Sequence, residues 1–206
     1  MTDSAQIFNV INKELIAEII ADYNSRSSYV TSTMNKAEPG ESLFLIQELI
    51  ESALGRKLDY VSGNFYKHTI PYLPHTDFKT YEKNYLNVVI PLTYSKLQPS
   101  LVVFDQTWEL DSVTWCMHYP VQYFAYNTGV KGCPYEYPVK HLTRESIDNE
   151  LYAKYLSHYP KECLFGLSGN AYLFEPGSVI AFDNRRIHCT SKLDSEKLGL
   201  SLRFKE

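Results

Sequence analysis

A short motif near the middle of the chain carries residue types that bind metal ions. In His75-Thr76-Asp77, an imidazole and a carboxylate are two positions apart. If these residues lie on a β-strand, both side chains point to the same face and project toward one point. Two imidazoles and one carboxylate form the facial triad of non-haem iron(II) sites, which leaves coordination positions open for other ligands. The motif therefore predicts two ligands of such a site, and the alternative is a surface turn, because Pro74 precedes it and Lys79 follows.

His188 is the candidate for the third ligand. It lies on a short predicted strand that follows a Pro-Gly turn. Its neighbours Ile187 and Cys189 face the other side of that strand, so His188 points in the same direction as Thr190. The alternative interpretation is a core histidine whose ring is bonded to a backbone carbonyl.

Arg203 is the candidate for binding an anionic ligand. Strand alternation places it with Ser201 on one face of the last predicted strand, while Leu200, Leu202 and Phe204 lie on the other. A guanidinium inside a β-barrel is costly unless an anion pairs with it. A dicarboxylate would be such an anion, because a carboxylate matches the two-pronged guanidinium. The alternative is an arginine at the rim, bonded to solvent or to the C-terminal glutamate.

This arrangement resembles the 2-oxoglutarate/iron(II)-dependent oxygenase superfamily. An H-x-D motif, a distant histidine after a turn and a later arginine carry the resemblance, at His75, Asp77, His188 and Arg203. Tyr85-Leu86-Asn87 is similar to a stretch in prolyl-hydroxylase-like members, and the run Gly177 to Asp183 before the distal histidine is also similar. The resemblance covers about residues 58–206 and does not single out a subfamily.

The resemblance implies an enzyme with three cofactors or cosubstrates: Fe(2+), 2-oxoglutarate and O2. Iron would bind His75, Asp77 and His188, and Arg203 would bind the far carboxylate of 2-oxoglutarate. The implied reaction couples oxidative decarboxylation of 2-oxoglutarate to hydroxylation of an unidentified substrate. Asp77 favours oxygen transfer over halogenation, because the similar halogenases lack this carboxylate. Further contacts to 2-oxoglutarate are expected from residues on inward-facing strand positions, with ordinary pairing in the sheet as the alternative: Tyr66, Tyr85, Asn87 and Ser201.

Hydrophobic periodicity predicts two helices followed by a series of short strands. The first helix is predicted over Ser4–Tyr23 with Asp3 or Ser4 as N-cap, and the second over Glu41–Leu54, ended by Gly55. The predicted strands are Tyr60–Tyr66, Asn84–Tyr94, Ser100–Phe104, Ala171–Phe174, Ser178–Phe182, Ile187–Ser191 and Leu198–Phe204, with Lys192–Lys197 as a polar loop before the last. Pro91 indicates an edge position or a bulge. The predicted fold is mainly β with a helical buttress, a double-stranded β-helix (jelly roll) preceded by two α-helices.

The strand pattern breaks between the two halves of the predicted jelly roll. We predict a single oxygenase domain over 1–206, with N-terminal helices in 1–57, the jelly-roll core in 58–105 and 170–206, and an insertion in 106–169. The insertion is rich in aromatic residues and contains a predicted helix, Arg144–His158. It could cover a pocket, pack on the barrel or form a homodimer contact.

Composition narrows the classes of function. The net charge is −4 and the pI is near 5.9, so a basic surface for nucleic acid is not expected. The sequence shows no signal peptide, no apolar run long enough for a membrane helix and no C-x-x-C pair, which together predict a soluble, cytoplasmic protein. The substrate would be a small molecule or a protein side chain. The alternatives are a non-enzymatic jelly-roll binding module, an oxygenase fold without activity that serves in assembly or sensing, and a metal-dependent isomerase.

Overall fold

In a computed structural model, short segments of the chain form two antiparallel sheets. The structure describes residues 5–27, 34–36, 41–77, 84–93, 96–97, 99–108, 139–141, 143 and 145–206. The strands are β1 (Gln6–Asn9), β2 (Met34–Lys36), β3 (Asp59–His68), β4 (Tyr85–Pro91), β5 (Ser100–Trp108), β6 (Val139–Lys140), β7 (Gly169–Leu173), β8 (Ser178–Asp183), β9 (Arg186–Thr190) and β10 (Lys197–Lys205).

The larger sheet has six strands in the order β1-β8-β4-β10-β3-β2. In the smaller sheet, β5 pairs with β6, β7 and β9. The inner faces of the two sheets meet in a shared apolar cluster that includes Val89 and Ile180 from the larger sheet and Leu101 and Val103 from the smaller one. This antiparallel two-sheet arrangement agrees with the jelly roll predicted from the sequence.

The chain changes sheets between β8 and β9. A tight turn over Asp183–Arg186 followed by the predicted strand Ile187–Ser191 indicates a returning strand. Instead, β8 pairs with β1 and β4, whereas β9 pairs with β5 in the smaller sheet. The turn between them is held by Arg185, whose Nε donates to the Asp183 Oδ1 and whose Nη2 donates to the Asp183 Oδ2. The crossover places His188 on the smaller sheet, opposite the strands of the larger one.

The prediction of an edge position or bulge at Pro91 is wrong. β4 lies in the interior of the larger sheet, between β8 and β10. Pro91 is its last residue and pairs with Gly199 on the β10 side. The pairing with β8 ends at Val89, so no partner on that side requires the N–H that proline lacks.

The first helix begins later than its periodicity predicted. Gln6–Asn9 forms β1, which pairs with β8, and the helix α1 spans Lys13–Ser27. Its N-cap is Asn12 and not Asp3 or Ser4, because the Asn12 Oδ1 accepts a 2.8 Å hydrogen bond from the Leu15 N–H. Apolar residues at the start of the predicted range have helical spacing, but strand pairing with β8 decides their structure.

The second helix, α2, spans Glu41–Leu54, the predicted range. It ends at Gly55, which has a φ of 69° and whose N–H donates to the Glu51 carbonyl. Both helices cover the outer face of the larger sheet. There Ile46 and Ile50 belong to one buried cluster with Leu200 and other outward residues of β10.

A helical segment covers the outer face of the smaller sheet. It consists of α3 (Asn149–Leu151), which continues as a π-helix (Tyr152–Leu156), and a later 3₁₀ helix (Lys161–Leu164). The predicted helix was longer at both ends. The Asp148 Oδ1 accepts from the Leu151 N–H and caps the first turn, which sets the observed start. Leu156 and Leu164 pack in a cluster with Val102, Phe104 and Ile187 of the sheet.

Most of the aromatic-rich part of the predicted insertion lies outside the described residues, which omit 109–138. Its predicted roles therefore stay predictions. None of the helices that the structure describes combines the length and apolar character needed to cross a membrane.

Replacing the observed N-cap tests the start of α1. We expect Asn12→Ala to lower the free energy of unfolding by about 1 kcal/mol, because the first turn loses its side-chain acceptor. Urea unfolding followed by circular dichroism measures the change. Glu18→Ala is the matched control, since Glu18 is an exposed residue inside the same helix. Equal unfolding midpoints for the two variants would contradict the assigned cap.

Candidate metal centre

Two histidines that are far apart in sequence pair through their backbones. The His75 N–H donates to the His188 carbonyl at 2.9 Å, and the His188 N–H donates to the His75 carbonyl at 2.8 Å. This reciprocal pair is an isolated antiparallel bridge beside β9, and His75 does not belong to one of the named strands. The two imidazole rings lie side by side, with centroids 4.4 Å apart.

Asp77 completes a cluster of three donor groups. Its Oδ1 lies 3.6 Å from the His75 Nε2, and its Oδ2 lies 3.6 Å from the His188 Nε2. One ligand atom from each of the three residues lies within 4.8 Å of the others. Donor atoms that share one ion at about 2 Å lie roughly 3–4 Å apart, so this spacing is close to that of a metal site. The structure thus brings together the three residues that the sequence singled out as ligands.

Backbone carbonyls select the tautomer of both imidazole rings. The His75 Nδ1 lies 2.6 Å from the Leu73 carbonyl, and the His188 Nδ1 lies 3.1 Å from the Arg186 carbonyl. A carbonyl oxygen can only accept, so each Nδ1 carries the proton of its ring. In the neutral imidazole the lone pair is then on Nε2, the atom that faces Asp77. Such outer bonds orient histidines in metal sites.

The charges of the cluster favour binding of a cation. Burial raises the pKa of Asp77, but the nearby His188, His75 and Arg203 outweigh it and hold this pKa below its usual range. Burial, together with the neighbouring His75, lowers the pKa of His188 to about 4. Burial also lowers the pKa of His75, but contact with Asp77 prevails and raises it. Near neutral pH the cluster therefore presents an ionised carboxylate and a neutral His188, a donor set suited to a divalent metal ion.

Asn87 and Arg203 form a chain of hydrogen bonds that ends at the Asp77 carboxylate. The Asn87 Nδ2 donates to the Asp77 Oδ2 at 2.8 Å, and the Asn87 Oδ1 accepts from the Arg203 Nε at 3.2 Å. Asn87 is buried, and Arg203 is half-buried. Neither residue is among those that line the adjoining cavity. The sequence had predicted that both contact 2-oxoglutarate.

The three candidate ligands lie in the wall of a cavity of 580 Å³. Most of its other described lining residues are apolar or aromatic, and they come from both sheets and from the segment before His75: Tyr66, Ile70, Pro71, Tyr72, Leu73, Thr76, Val89, Leu101, Phe174, Cys189, Thr190, Lys197 and Ser201. A largely apolar cavity with a few convergent polar groups is the usual form of a small-molecule site.

Lys197 is a cavity residue that the sequence analysis missed. It is 2% exposed, and its Nζ lies 3.4 Å from the ring centroid of Phe174 and 5.4 Å from that of Tyr66. Burial lowers the pKa of this amine well below its usual value. Within the described part of the chain, its Nζ forms no ion pair. A buried amine with aromatic neighbours and no carboxylate is poised to bind an anion.

A boundary error of one residue concealed Lys197. The sequence pattern predicted a polar loop ending at Lys197 and a strand beginning at Leu198, whereas β10 begins at Lys197. Alternation along β10 puts Lys197 on the same face as Ser201 and Arg203, so the signal was present in the sequence.

The remaining predicted contacts lie in different surroundings. Tyr66 and Ser201 line the cavity. Burial raises the pKa of Tyr66 well above its usual value, so its hydroxyl keeps its proton. Its ring lies over Gly199, where an added Cβ would collide with the phenol. Tyr85 is not among the lining residues; it begins β4, and its carbonyl accepts from the Asn184 N–H.

Tyr159 links the two histidine-bearing segments, and the sequence analysis did not identify it. Its hydroxyl lies 2.5 Å from the Tyr72 carbonyl and 3.1 Å from the Thr190 carbonyl. The Tyr72 N–H also donates to the Thr190 Oγ1 at 2.9 Å. Tyr72 precedes His75 and Thr190 follows His188, so the segment after the π-helix holds both histidines in place.

This chain is similar to known proteins in structure, whereas comparison of its sequence finds no match. The sequence matches no protein-family model and no curated protein. The epimerase SnoN, solved with Fe3+, alpha ketoglutarate and nogalamycin RO, is 12% identical with a TM-score of 0.55, over 99% of this chain and 79% of SnoN. A Pseudomonas putida prolyl-4-hydroxylase is 12% identical with a TM-score of 0.53, over 100% of this chain and 94% of the hydroxylase.

HygX from Streptomyces hygroscopicus, solved with nickel and 2-oxoglutarate, is also similar. It is 12% identical with a TM-score of 0.53, over 99% of this chain and 83% of HygX. The chain has the fold of 2-oxoglutarate/iron(II)-dependent oxygenases. The similarity predicted from the sequence is thus confirmed for the fold. The oxygenase fold here carries a His-Asp-His cluster at one cavity, within the residues described.

Removing each candidate ligand tests the metal centre. We expect His75→Ala, Asp77→Ala and His188→Ala each to weaken Co²⁺ binding by the metal-free protein at least ~10-fold, because a donor atom is lost. Isothermal titration calorimetry measures the affinity. His141→Asn is the control, since His141 is an exposed residue with a φ of 66° that asparagine tolerates. Wild-type affinity in any of the three alanine variants would exclude that residue as a ligand.

The Tyr159 hydroxyl is tested by a pair of tyrosine variants. Tyr159→Phe should weaken Co²⁺ binding several-fold, because the His75 and His188 segments lose a common hydrogen-bond donor. Tyr152→Phe is the matched control: its hydroxyl donates to the Tyr159 carbonyl and not to either histidine segment. Both variants should lose about 1 kcal/mol of stability. Equal Co²⁺ affinities of the two variants would contradict the role of the Tyr159 hydroxyl in holding the His75 and His188 segments together.

Proposed function

We propose that this protein is an iron(II)- and 2-oxoglutarate-dependent dioxygenase. The observation that carries the proposal is the joint presence, in one cavity, of the His75, Asp77 and His188 cluster and the buried amine of Lys197. One feature suits a divalent cation, and the other suits an anion. A ligand that chelates a metal at one end and carries a carboxylate at the other fits both. The fold shared with enzymes solved with 2-oxoglutarate supports this assignment.

The three candidate ligands suit iron(II) in number and type. Two imidazole nitrogens and one carboxylate leave coordination positions for a cosubstrate and dioxygen. Bound iron(II) with 2-oxoglutarate supplies the oxidising chemistry that acts on a substrate C–H bond. The protein's own part is to orient the ligands through the Nδ1 bonds of both histidines, and to exclude water with the apolar cavity wall.

Lys197 is our candidate for binding the far carboxylate of the cosubstrate. A carboxylate beside its Nζ would restore the charge that burial opposes, and the charge-assisted bond would form in a site with little water. Tyr66 lies beside Lys197 and keeps its hydroxyl proton, so it is a second donor for the same carboxylate. Ser201, on the same face of β10, remains a candidate for a further contact. The Arg203 role predicted from the sequence is the competing assignment.

Hydroxylation is the reaction that we propose. A prolyl-4-hydroxylase is among the similar structures, but so are an epimerase and the carbocyclase SnoK, which provide the alternatives. The substrate class stays as broad as the sequence predicted, a small molecule or a protein side chain. Exposed apolar residues in the cavity wall, Ile70 and Leu73, favour a substrate that brings an apolar group to this cavity. Location in the cytoplasm and a homodimer contact through the insertion remain proposals.

An anaerobic titration tests the proposed function. Wild-type protein loaded with Fe²⁺ should develop a visible charge-transfer absorption when 2-oxoglutarate is added, because the keto acid chelates the metal. Absence of this absorption in a protein that binds Fe²⁺ would contradict the proposal and favour the metal-dependent isomerase or the binding module. Once a substrate is known, incorporation of ¹⁸O from ¹⁸O₂ into the product distinguishes hydroxylation from epimerisation and ring closure.

The same titration tests the carboxylate anchor. Lys197→Met should raise the Kd for 2-oxoglutarate by roughly 10- to 100-fold, the effect of a lost charge-assisted hydrogen bond. Lys67→Met is the matched control, because Lys67 forms an exposed ion pair with Glu196, the residue just before β10. If Arg203→Met raises this Kd at saturating Fe²⁺ and Lys197→Met does not, the assignment from the sequence is correct.

A further inference from the structure

The Asn87 amide joins two groups that have opposite hydrogen-bonding character. The Asp77 carboxylate, when ionised, can only accept, and the Arg203 guanidinium can only donate. An amide offers both a donor and an acceptor, so its orientation is fixed from both sides: Nδ2 faces Asp77, and Oδ1 faces Arg203. Reversing the amide would place donor against donor and acceptor against acceptor.

The sheet builds this contact into its register. Asn87 on β4 and Arg203 on β10 are directly opposite each other in an antiparallel pair. Asn87 is 1% exposed, so its side chain has little freedom to move. Asp77 belongs to no named strand, and the nearest backbone pairing among the described residues of its segment is the bridge at His75. The rigid sheet therefore fixes Asp77 through its side chain.

We propose that Arg203 is a positioning residue for the metal ligand Asp77 and that it acts through Asn87. The proposal rests on the metal site of the proposed function. The terminal torsion of an aspartate is broad and roughly two-fold, so a free carboxylate samples many orientations. The bond to Asn87 selects one of them, and Arg203 keeps the amide turned toward Asp77. Contact through an amide also avoids a direct guanidinium–carboxylate ion pair, which would compete with a metal for the carboxylate.

The geometry separates this role from cosubstrate binding. Arg203 is not among the cavity-lining residues, whereas Lys197 is. The two lie on the same face of β10 but six positions apart, which corresponds to roughly 20 Å along a strand. The two basic residues therefore act at different ends of the strand: Lys197 lies beside the cavity, and Arg203 contacts Asn87 on the far side of the Asp77 carboxylate.

A double-mutant cycle on metal binding tests the proposal. The variants are Arg203→Met, Asn87→Leu and the double variant, with Arg56→Met as control, because Arg56 pairs with Glu206 at the surface. We expect Arg203→Met to weaken Co²⁺ binding roughly 10-fold, as loss of an outer partner of a metal ligand does. If Arg203 acts through Asn87, the double variant should bind Co²⁺ no more weakly than Asn87→Leu alone.

A spectroscopic readout separates positioning from general loss of structure. The visible bands of bound Co²⁺ report ligand geometry, and they should change in Arg203→Met but not in Arg56→Met. Because Arg203 is only half-buried, we expect Arg203→Met to fold. Its Co²⁺ affinity and spectrum therefore test the proposal even if Asn87→Leu does not fold. Unchanged Co²⁺ affinity and spectrum in Arg203→Met would overturn the proposal, as would fully additive losses in the double variant.

The same proteins distinguish failure of this proposal from failure of the proposed function. If wild-type protein binds Co²⁺ or Fe²⁺ but not 2-oxoglutarate, the dioxygenase function fails while the effect of Arg203 on metal binding can still be measured. If wild-type protein binds both and Arg203→Met raises only the Kd for 2-oxoglutarate, the positioning role is wrong and Arg203 is a cosubstrate residue.

Discussion

The candidate site depends on the reciprocal backbone pairing of His75 and His188. Two hydrogen bonds between these residues hold segments that are distant in sequence at the spacing of an antiparallel bridge, about 5.5 Å between Cα atoms. The Nδ1 bonds to Leu73 and Arg186 then orient the rings, and the Tyr159 hydroxyl holds the flanking residues together. Because both histidines are fixed through backbone groups, their Nε2 atoms are set in place without a metal ion.

The rest of the fold keeps this bridge in place and leaves room beside it. The larger sheet is covered on its outer face by α1 and α2, and the smaller sheet by the helical segment that begins at Asn149. Each sheet therefore packs an apolar cluster on its outer face, and the cavity lies between the inner faces. Two regions of the lining carry groups that suit an ion: the cluster around Asp77 and the amine of Lys197.

Burial strengthens the interaction of these two regions with bound ions. Asp77 keeps its charge because His75, His188 and Arg203 outweigh the cost of burial. The Lys197 Nζ lies over the rings of Phe174 and Tyr66, and burial opposes its charge. A ligand that bridges a cation at Asp77 and supplies an anion to Lys197 would offset both costs at once. This complementarity is the physical basis of the proposed dependence on 2-oxoglutarate.

The sequence by itself determined the three donor residues, the second helix with Gly55 at its end, and the antiparallel jelly roll, because local spacing and turn residues encode them. Tertiary structure decided which strands are neighbours. Pairing with β8 made a strand of Gln6–Asn9, and Pro91 is tolerated in the interior strand β4 because it lies at the strand end, beyond the last pair with β8. Alternation placed Arg203 and Ser201 on one face of the last strand, but it gives neither the exact strand start nor the partner across the sheet. These non-local facts placed Lys197 in the cavity and Arg203 behind Asn87.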